Sequence, residues 1–240
     1  MSSAPPPIRA LVFDIFGTVV DWRSTVVREG QALGARLGRD ADWPALADAW
    51  RAGYFSSMAR VDRGELGWMT IDQLHRMMLD EILPRFGLAD LPEAERQQLN
   101  RVWHRLDPWP DSVRGLTRLK SRFVIATLSN GNVSLLVDMA KHGGLPWDAV
   151  FSAELFQAFK PDPRVYQGAA RLLDLPPEQV MMVAAHPSDL AAAQRAGLRT
   201  AYIPRPLERG QGGWMEPVGD LRFDLTAGSL EALADQLGCA

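Results

Sequence analysis

The sequence predicts an α/β fold with a parallel sheet and one inserted helical segment. Two patterns support this prediction. After residue 107, short apolar runs alternate with amphipathic helices, as they do in parallel sheets. Between about 24 and 106 the chain shows amphipathic helices alone. With 240 residues, the chain is long enough for one α/β core and an insertion of about a hundred residues.

Five apolar runs have the length and composition of buried strands. The first, ALVF at 10–13, ends at Asp14 and precedes the turn-forming Gly17. The other four come after the Pro108–Pro110 turn, at 123–128, 149–153, 180–185 and 200–203. The helices predicted between them lie at 133–142, 164–173 and 189–196. We expect all five runs in one parallel sheet.

The helical segment divides the chain into two predicted domains. Its helices are predicted at 25–37, 44–60, 70–86 and 92–106. We therefore expect a core formed by residues 1–21 and 107–240, and a helical domain at 22–106. The Gly- and Pro-rich stretch 205–219 is predicted to be a surface loop, and the prolines at 5–7 an extended leader.

The composition of the chain indicates which kinds of binding partner to expect. The formal net charge is -3 and basic residues are not clustered, so we expect neither nucleic acid nor an anionic membrane as a partner. No run of 18 apolar residues and no secretory signal pattern is visible, which predicts a cytoplasmic protein. The single Cys239 predicts a fold without disulfides. A small molecule is the expected partner.

Polar residues follow the predicted strands at the edge where ligands bind in doubly wound sheets. They are Asp14, Ser129, Asn130, Lys160, His186 and Asp189. Together with their neighbours they form four ordered motifs: FDIFGT at 13–18, LSNG at 128–131, KPDPRVY at 160–166 and the turn 186–189. Each motif alone is weak, but four in order at strand ends are specific.

These motifs resemble those of the haloacid dehalogenase superfamily, and the resemblance covers nearly all of residues 8–206. It implies a Rossmann-like core with an inserted helical cap that closes over the site, and an Asp nucleophile at Asp14. In phosphatase members of the superfamily the first motif resembles DxDGT, and its second Asp is the general acid. Here that position is Phe16, which cannot transfer a proton.

The aromatic Phe16 instead resembles the 2-haloacid dehalogenase branch. Beside Asp14, the fourth motif offers one carboxylate, Asp189, where metal-binding members commonly have two. We therefore expect neither a metal nor a cofactor. Two alternatives stay open: a magnesium-dependent phosphatase or phosphonatase-like hydrolase of the same fold, and a non-catalytic binding protein on this scaffold.

The resemblance implies a two-step reaction on small 2-haloalkanoic acids. Asp14 attacks the halogen-bearing carbon, halide leaves, and water hydrolyses the resulting ester. Attack from the back would convert an S-configured 2-haloacid to an R-configured 2-hydroxyacid. His186 stands where the branch commonly has Asn, so it adds a base for water or a donor for halide, and we predict defluorination of fluoroacetate.

Three further residues have predicted catalytic roles. Lys160 is expected to hold the Asp14 carboxylate, with a solvated surface Lys as the alternative. Asp189 is expected to pair with Lys160 and orient the hydrolytic water; Thr18 is expected to hold the nucleophile loop. A helix cap is the alternative for both. Ala184 and Ser188 also depart from the branch pattern, so the water pocket is expected to be altered.

The predicted substrate-binding residues come from both parts of the chain. Ser129, with backbone N–H groups of Ile15, Phe16 and Asn130, is expected to bind the substrate carboxylate, and Asn130 alternatively the halide. A helix N-cap is the alternative for the Ser129–Asn130 pair. In AWRAGYF at 49–55, Arg51 resembles the halide-binding Arg of the family, with an exposed helix Arg as the alternative.

Aromatic and histidine side chains complete the predictions. Tyr166 is expected near the active-site carboxylates, and Trp22, Phe55 and Trp68 around the substrate's alkyl group. Burial in the core is the alternative for all four. Three other histidines are expected to be structural, because they lack companions at metal-ligand spacing: His75, His104 and His142. A homodimer is a further expectation from the resemblance.

Overall fold

In the computed structural model, residues 7–240 are described, so most of the predicted leader at 5–7 lies outside them. The strands are Ala10–Phe13 (β1), Val20–Asp21 (β2), Asp107–Pro108 (β3), Val124–Ser129 (β4), Ala149–Ser152 (β5), Val180–Ala184 (β6), Arg199–Tyr202 (β7) and Leu225–Thr226 (β8). Six of them form one parallel sheet in the order β5-β4-β1-β6-β7-β8. The prediction that all five apolar runs share one parallel sheet is confirmed.

The helices are Trp22–Leu37 (α1), Trp43–Ala52 (α2), Tyr54–Asp62 (α3), Ile71–Ile82 (α4), Glu93–Asn100 (α5), Ser112–Lys120 (α6), Val133–Gly143 (α7), Pro163–Leu172 (α8), Pro187–Arg195 (α9) and Leu230–Gln236 (α10). Short 3-10 turns lie at Leu83–Phe86, Arg101–Arg105, Ala153–Phe156 and Pro177–Gln179. None of these helices is long and apolar enough to cross a membrane, judged over residues 7–240.

The central strand β1 positions the site. All four of its residues are buried, because the sheet is covered on both faces. Leu11 and Phe13 pack into one core layer and Val12 into the other, as strand alternation requires. Since β4 and β6 flank β1, the loops after these three strands meet at one edge of the sheet and leave a crevice there.

The chain leaves and re-enters the core through a two-stranded antiparallel neck. Val20 pairs with Pro108 and Asp21 with Asp107, and helices α1 to α5 lie between these strands. We call residues 22–106 the insertion. Asp21 also caps α1, because its carboxylate accepts the Ser24 N–H at 3.0 Å.

The prediction of one helix over 44–60 was wrong. The structure has two helices, α2 and α3, that meet at Gly53. A Cβ at Gly53 would lie 2.8 Å from Met78 Sδ on α4, so the backbone approaches α4 too closely for a larger residue. The predicted helices at 70–86 and 92–106 each end instead in a 3-10 turn.

Candidate active site

The nucleophile loop follows β1 directly. The Asp14 N–H donates to the Val183 carbonyl at 3.0 Å, which continues the β1–β6 pairing by one residue. The Thr18 hydroxyl donates to Asp14 Oδ2 at 2.7 Å and accepts the Ala185 N–H at 2.8 Å. Thr18 therefore links the Asp14 side chain to the loop after β6 and limits its rotation.

Lys160 lies between two carboxylates. Its ammonium is 3.0 Å from Asp14 Oδ1 and 2.6 Å from Asp189 Oδ2. The Tyr166 hydroxyl donates to Asp189 Oδ1 at 2.5 Å, and the Lys160 N–H donates to Asn130 Oδ1 at 2.8 Å. The loops after β1, β4, β5 and β6 are thus joined by one buried hydrogen-bond network.

His186 joins the same network from the other side of Asp14. Its Nδ1 lies 3.2 Å from Asp14 Oδ2, and its Nε2 lies 3.1 Å from Glu208 Oε2. Glu208 also accepts the Trp22 indole N–H at 3.0 Å. A Cβ on Gly17 would lie 2.3 Å from Glu208 Oε1, and Gly17 has φ +85, so only glycine suits this close approach.

The charges of this network stabilise one another. Burial disfavours ionisation of Asp14, but Lys160, His186 and Thr18 outweigh it and hold the pKa of that carboxyl well below its usual value. Burial opposes the Lys160 cation, yet Asp14 and Asp189 raise its pKa. Burial likewise opposes the His186 cation, but Asp14 and Glu208 raise its pKa to about 10. At neutral pH, His186 is therefore an imidazolium.

The insertion contributes a cation that has no carboxylate partner in the part of the chain that the structure describes. Arg51, near the end of α2, is buried, and its guanidinium carbon lies 4.0 Å from the centre of the Tyr54 ring. The rings of Phe16 and Trp22 lie 5.7 and 5.6 Å from the same carbon. Among residues 7–240, Arg51 Nε and Nη1 have no hydrogen-bond partner. The aromatic rings hold this cation in place and leave its charge available to an anion.

These groups surround a cavity of about 310 Å³, which we call the reaction cavity. Its wall from the core is polar and its wall from the insertion is largely aromatic. The lining residues are Asp14, Phe16, Arg51, Tyr54, Phe55, Asn130, Lys160, Pro161, Tyr166, His186, Ser188, Asp189 and Arg195. This volume suits a small organic anion.

Several predicted residues lie outside this lining. The prediction that Trp68 lines the pocket was wrong: it stacks on Phe159 at 4.8 Å and borders a different cavity. Trp22 is fully buried behind Arg51, because its ring packs on Trp103. Ser129 and Ile15 are also buried beneath the cavity, and the Ser129 hydroxyl oxygen accepts the Gly131 N–H at 3.1 Å.

Sequence reasoning missed Glu208 and Tyr54. Glu208 falls in the stretch predicted as a surface loop, yet it is buried against His186 and Gly17. No local pattern distinguishes such a Glu from a solvated one. Tyr54 lies within the AWRAGYF segment, three residues after Arg51, a spacing that would place both on one face of the single helix predicted over 44–60.

The carboxylates of the site do not fit a magnesium ion. Both Asp14 oxygens and both Asp189 oxygens already face a cation or a hydroxyl donor. A divalent cation would meet Lys160 and the His186 imidazolium at close range. Within the part of the chain that the structure describes, no group of three or more His, Cys, Asp or Glu side chains is arranged to hold a metal.

The other histidines have structural positions. His75 is fully buried and stacks on Trp103 with ring centres 4.1 Å apart. His104 pairs with Asp72 and Asp138 at 2.9 and 2.8 Å, and so joins the insertion to α7. His142 is exposed.

Comparisons with known proteins agree with this geometry. The model of the haloacid dehalogenase-like hydrolase family matches residues 8–197. An (S)-2-haloacid dehalogenase of Pseudomonas sp. (strain CBS-3) is 33% identical over 203 residues, which cover 83% of this chain and 86% of that protein. A second (S)-2-haloacid dehalogenase, from Burkholderia cepacia, is 32% identical over 82% of this chain and 84% of its own length.

Two solved structures are similar over almost the whole chain. An L-2-haloacid dehalogenase superposes with a TM-score of 0.93 at 48% identity, covering 96% of this chain and 99% of its own. A defluorinating L-2-haloacid dehalogenase superposes with a TM-score of 0.94 at 41% identity, covering 98% and 100%. The chain therefore belongs to the haloacid dehalogenase-like hydrolase family.

Proposed function

We propose that this protein hydrolyses carbon–halide bonds in small 2-haloacids and forms 2-hydroxyacids through an ester on Asp14. The observation that carries the proposal is that the reaction cavity is lined by an ionised carboxylate, Asp14, from the core and by a guanidinium, Arg51, from the insertion. Asp14 is kept ionised by Lys160 and His186, and Arg51 offers a cation with no carboxylate partner. The names of the relatives, (S)- and L-2-haloacid dehalogenases, specify the same reaction.

In the first step, an Asp14 oxygen forms a bond to C2 of the substrate. The carbon–halogen bond breaks at the same time, and its electron pair leaves with the halide. Arg51 stabilises the negative charge that develops on the leaving atom. Because attack comes from the face opposite the halogen, the configuration inverts, and an S-configured substrate gives an R-configured product.

In the second step, water attacks the carbonyl carbon of the Asp14 ester. Esterification removes the charge of Asp14, which is one of the two carboxylates that raise the His186 pKa, so the imidazolium then loses its proton more readily. Neutral His186 takes a proton from water, and Glu208 stabilises the cation that forms. The ester C–O bond breaks and the 2-hydroxyacid oxygen takes that proton from His186. The proton left on the Asp14 carboxyl group passes to His186, which restores the imidazolium of the resting state.

The remaining residues position these groups. Lys160 and Thr18 hold Asp14, and Asp189 with Tyr166 holds Lys160. We propose that Asn130 and backbone N–H groups near Phe16 and Ile15 receive the substrate carboxylate, with Ser129 supporting the Gly131 turn beneath them. The helical cap (22–106) would close over the core (1–21 and 107–240) once substrate is bound.

Fluoroacetate is proposed as a substrate. Fluoride needs strong electrostatic stabilisation as it leaves, and the His186 imidazolium adds positive charge to the lining of the reaction cavity. The relative named as defluorinating is 41% identical over nearly the whole chain. A His186→Asn variant is expected to lose fluoride release more than chloride release, and equal losses would contradict this role of His186.

We also propose a cytoplasmic location and a homodimer for this enzyme. The homodimer is what the resemblance to the family implies. The absence of clustered basic residues agrees with a small-molecule substrate rather than nucleic acid. A metal-dependent phosphatase is disfavoured, because Phe16 cannot act as general acid and two cations surround Asp14. A non-catalytic binding protein would not require a nucleophile ionised by three partners.

The test is halide release in the presence of a chelator, from both enantiomers of 2-chloropropionate and from fluoroacetate. Release by the wild type and loss of release in Asp14→Asn are expected, with the ester on Asp14 seen by mass spectrometry of the quenched enzyme. Magnesium-dependent hydrolysis of a phosphate ester, without halide release from any haloacid, would favour the phosphatase.

A further inference from the structure

A second cavity of about 310 Å³ lies beside the reaction cavity. The two cavities share Arg51, Phe55, His186 and Ser188, so they adjoin along these side chains. The far wall comes from the segment 204–223, which includes Glu208 and Arg209. Its rim is apolar and exposed: Phe55 is 66% and Trp214 64% exposed.

The charges of this second cavity are unequally paired. Arg205 is held by Asp111 at 2.8 and 3.0 Å, and Glu208 by His186. Glu216 accepts the N–H and the hydroxyl of Ser188 at 2.8 and 3.1 Å. Arg209 has no carboxylate within 4.0 Å among residues 7–240, and its guanidinium carbon lies 5.6 Å from the Trp214 ring.

Unpaired cations therefore lie at both ends of the second cavity. Arg51 is at the inner end, where its Nε and Nη1 lack partners in the described residues, and Arg209 is near the exposed Trp214. An unpaired guanidinium in a partly desolvated cleft attracts anions, and the low-dielectric walls of a cleft focus the field of the charges that line it. Small inorganic anions fit this arrangement, because the two guanidinium groups offer positive charge at both ends of the cavity.

The proposed reaction produces a small anion, the halide, that has to leave the site while the organic group is still bound there. When the ester has formed, the organic group is bound to Asp14 and occupies the reaction cavity. The halide is then at Arg51, and water has yet to reach His186. Both residues also face the second cavity, so halide can leave and water can enter without passing the organic group.

We propose that the second cavity is a halide-binding vestibule that runs from Arg51 to Arg209. It takes the leaving halide to solvent and admits the hydrolytic water. The origin of the halide rests on the proposed function, but halide binding by Arg209 does not, because halide salts can be added to the resting protein.

Iodide is a suitable probe, because it is a halide and quenches the fluorescence of tryptophans that it contacts. Trp214 is highly exposed, whereas five of the other tryptophans are buried, and Trp214→Phe identifies its contribution. We expect Arg209→Gln to lower iodide quenching of Trp214 about two- to fivefold, the range of one exposed ion pair. Added sulfate should lower it in the wild type by screening.

The controls separate charge from structure. Quenching by neutral acrylamide should be equal in wild type and Arg209→Gln, and Arg209→Lys should keep most of the iodide effect. Arg171→Gln removes an exposed Arg of α8 with no ion pair in the described structure, and it should change nothing. Iodide quenching that is equal in Arg209→Gln and wild type would overturn the proposal.

The second readout is inhibition of turnover by added iodide or bromide. With 2-chloropropionate, the inhibition constant should rise in Arg209→Gln by the same factor as the quenching falls. Equal inhibition constants in the two proteins would exclude the vestibule as the halide route. A wild type that shows Arg209-dependent quenching but no halide release would leave the anion site in place and reject the proposed function.

Discussion

The core wall of the reaction cavity differs from the wall of the insertion in how its charges are paired. On the core wall, Asp14, Lys160 and His186 each lie within 3.2 Å of an opposite charge. On the insertion wall, Arg51 has aromatic neighbours and two unpartnered nitrogens within residues 7–240. Deeper in the insertion, buried His75 likewise has no partner for either ring nitrogen within those residues. The core wall thus fixes a nucleophile, whereas the insertion wall keeps a cation free for an anion.

The largest effect is expected from removing the Arg51 cation of the insertion wall. Arg51→Met should lower kcat/KM about 10²- to 10³-fold, because a stabilising charge opposite the leaving halide is lost. Thermal stability should hold or rise, since Arg51 leaves no carboxylate behind. Steady-state halide release and calorimetry test this. A marked loss of stability would mean that Arg51 has a structural role instead.

The next effect is expected on the core side, where Glu208→Gln leaves His186 with one charged partner. Ester hydrolysis should slow about a hundredfold, the lower end of general acid–base effects, with ester formation unchanged. Accumulation of the Asp14 ester in rapid-quench mass spectrometry measures this. Asp220→Asn, an exposed acid of the same segment, is the matched control. An ester that does not accumulate would remove His186 from the second step.

The third prediction concerns pH. The His186 pKa is raised from 6.5 to about 10 in the fold, so its stabilising contribution is complete below pH 6.5 and is lost as pH rises toward 10. We expect kcat/KM to be level at neutral pH and to fall above about pH 10, because the cation that attracts the haloacid disappears. In Glu208→Gln this fall should begin at lower pH. Identical profiles would mean that His186 is not the titrating group.

The smallest effect is expected at His75. Burial and the nearby Arg51 cation lower its pKa to about 3, so it is neutral in the fold, and stability is lost as pH falls from 6.5 toward 3. His75→Phe should reduce this acid sensitivity and raise the free energy of unfolding by about 1 kcal/mol, because it removes unpartnered buried nitrogens. Denaturant titration at pH 7 and pH 5 measures both changes. Lys141→Gln, at an exposed residue of α7 with no ion pair in the described structure, should show neither.

Much of the site could be predicted because its signals are local. Asp14, Lys160, Tyr166 and Asp189 follow buried strands or begin the helices after them, and parallel strands bring their ends to one edge. The predicted pairing of Lys160 with Asp189 is present at 2.6 Å. Trp68 was misplaced because its aromatic side chain predicts apolar contacts without specifying which surface it meets.

By itself, the sequence determined the α/β class, the position of the insertion, and the order of the polar residues along the sheet edge. These follow from periodicity and from strand ends, which involve neighbours along the chain. Only the tertiary structure decided that Glu208 meets His186, that Arg51 Nε and Nη1 have no partner among residues 7–240, and that the predicted helix is interrupted at Gly53. Each of these depends on segments distant in sequence packing together, because burial and charge pairing are set by contacts that local pattern does not encode.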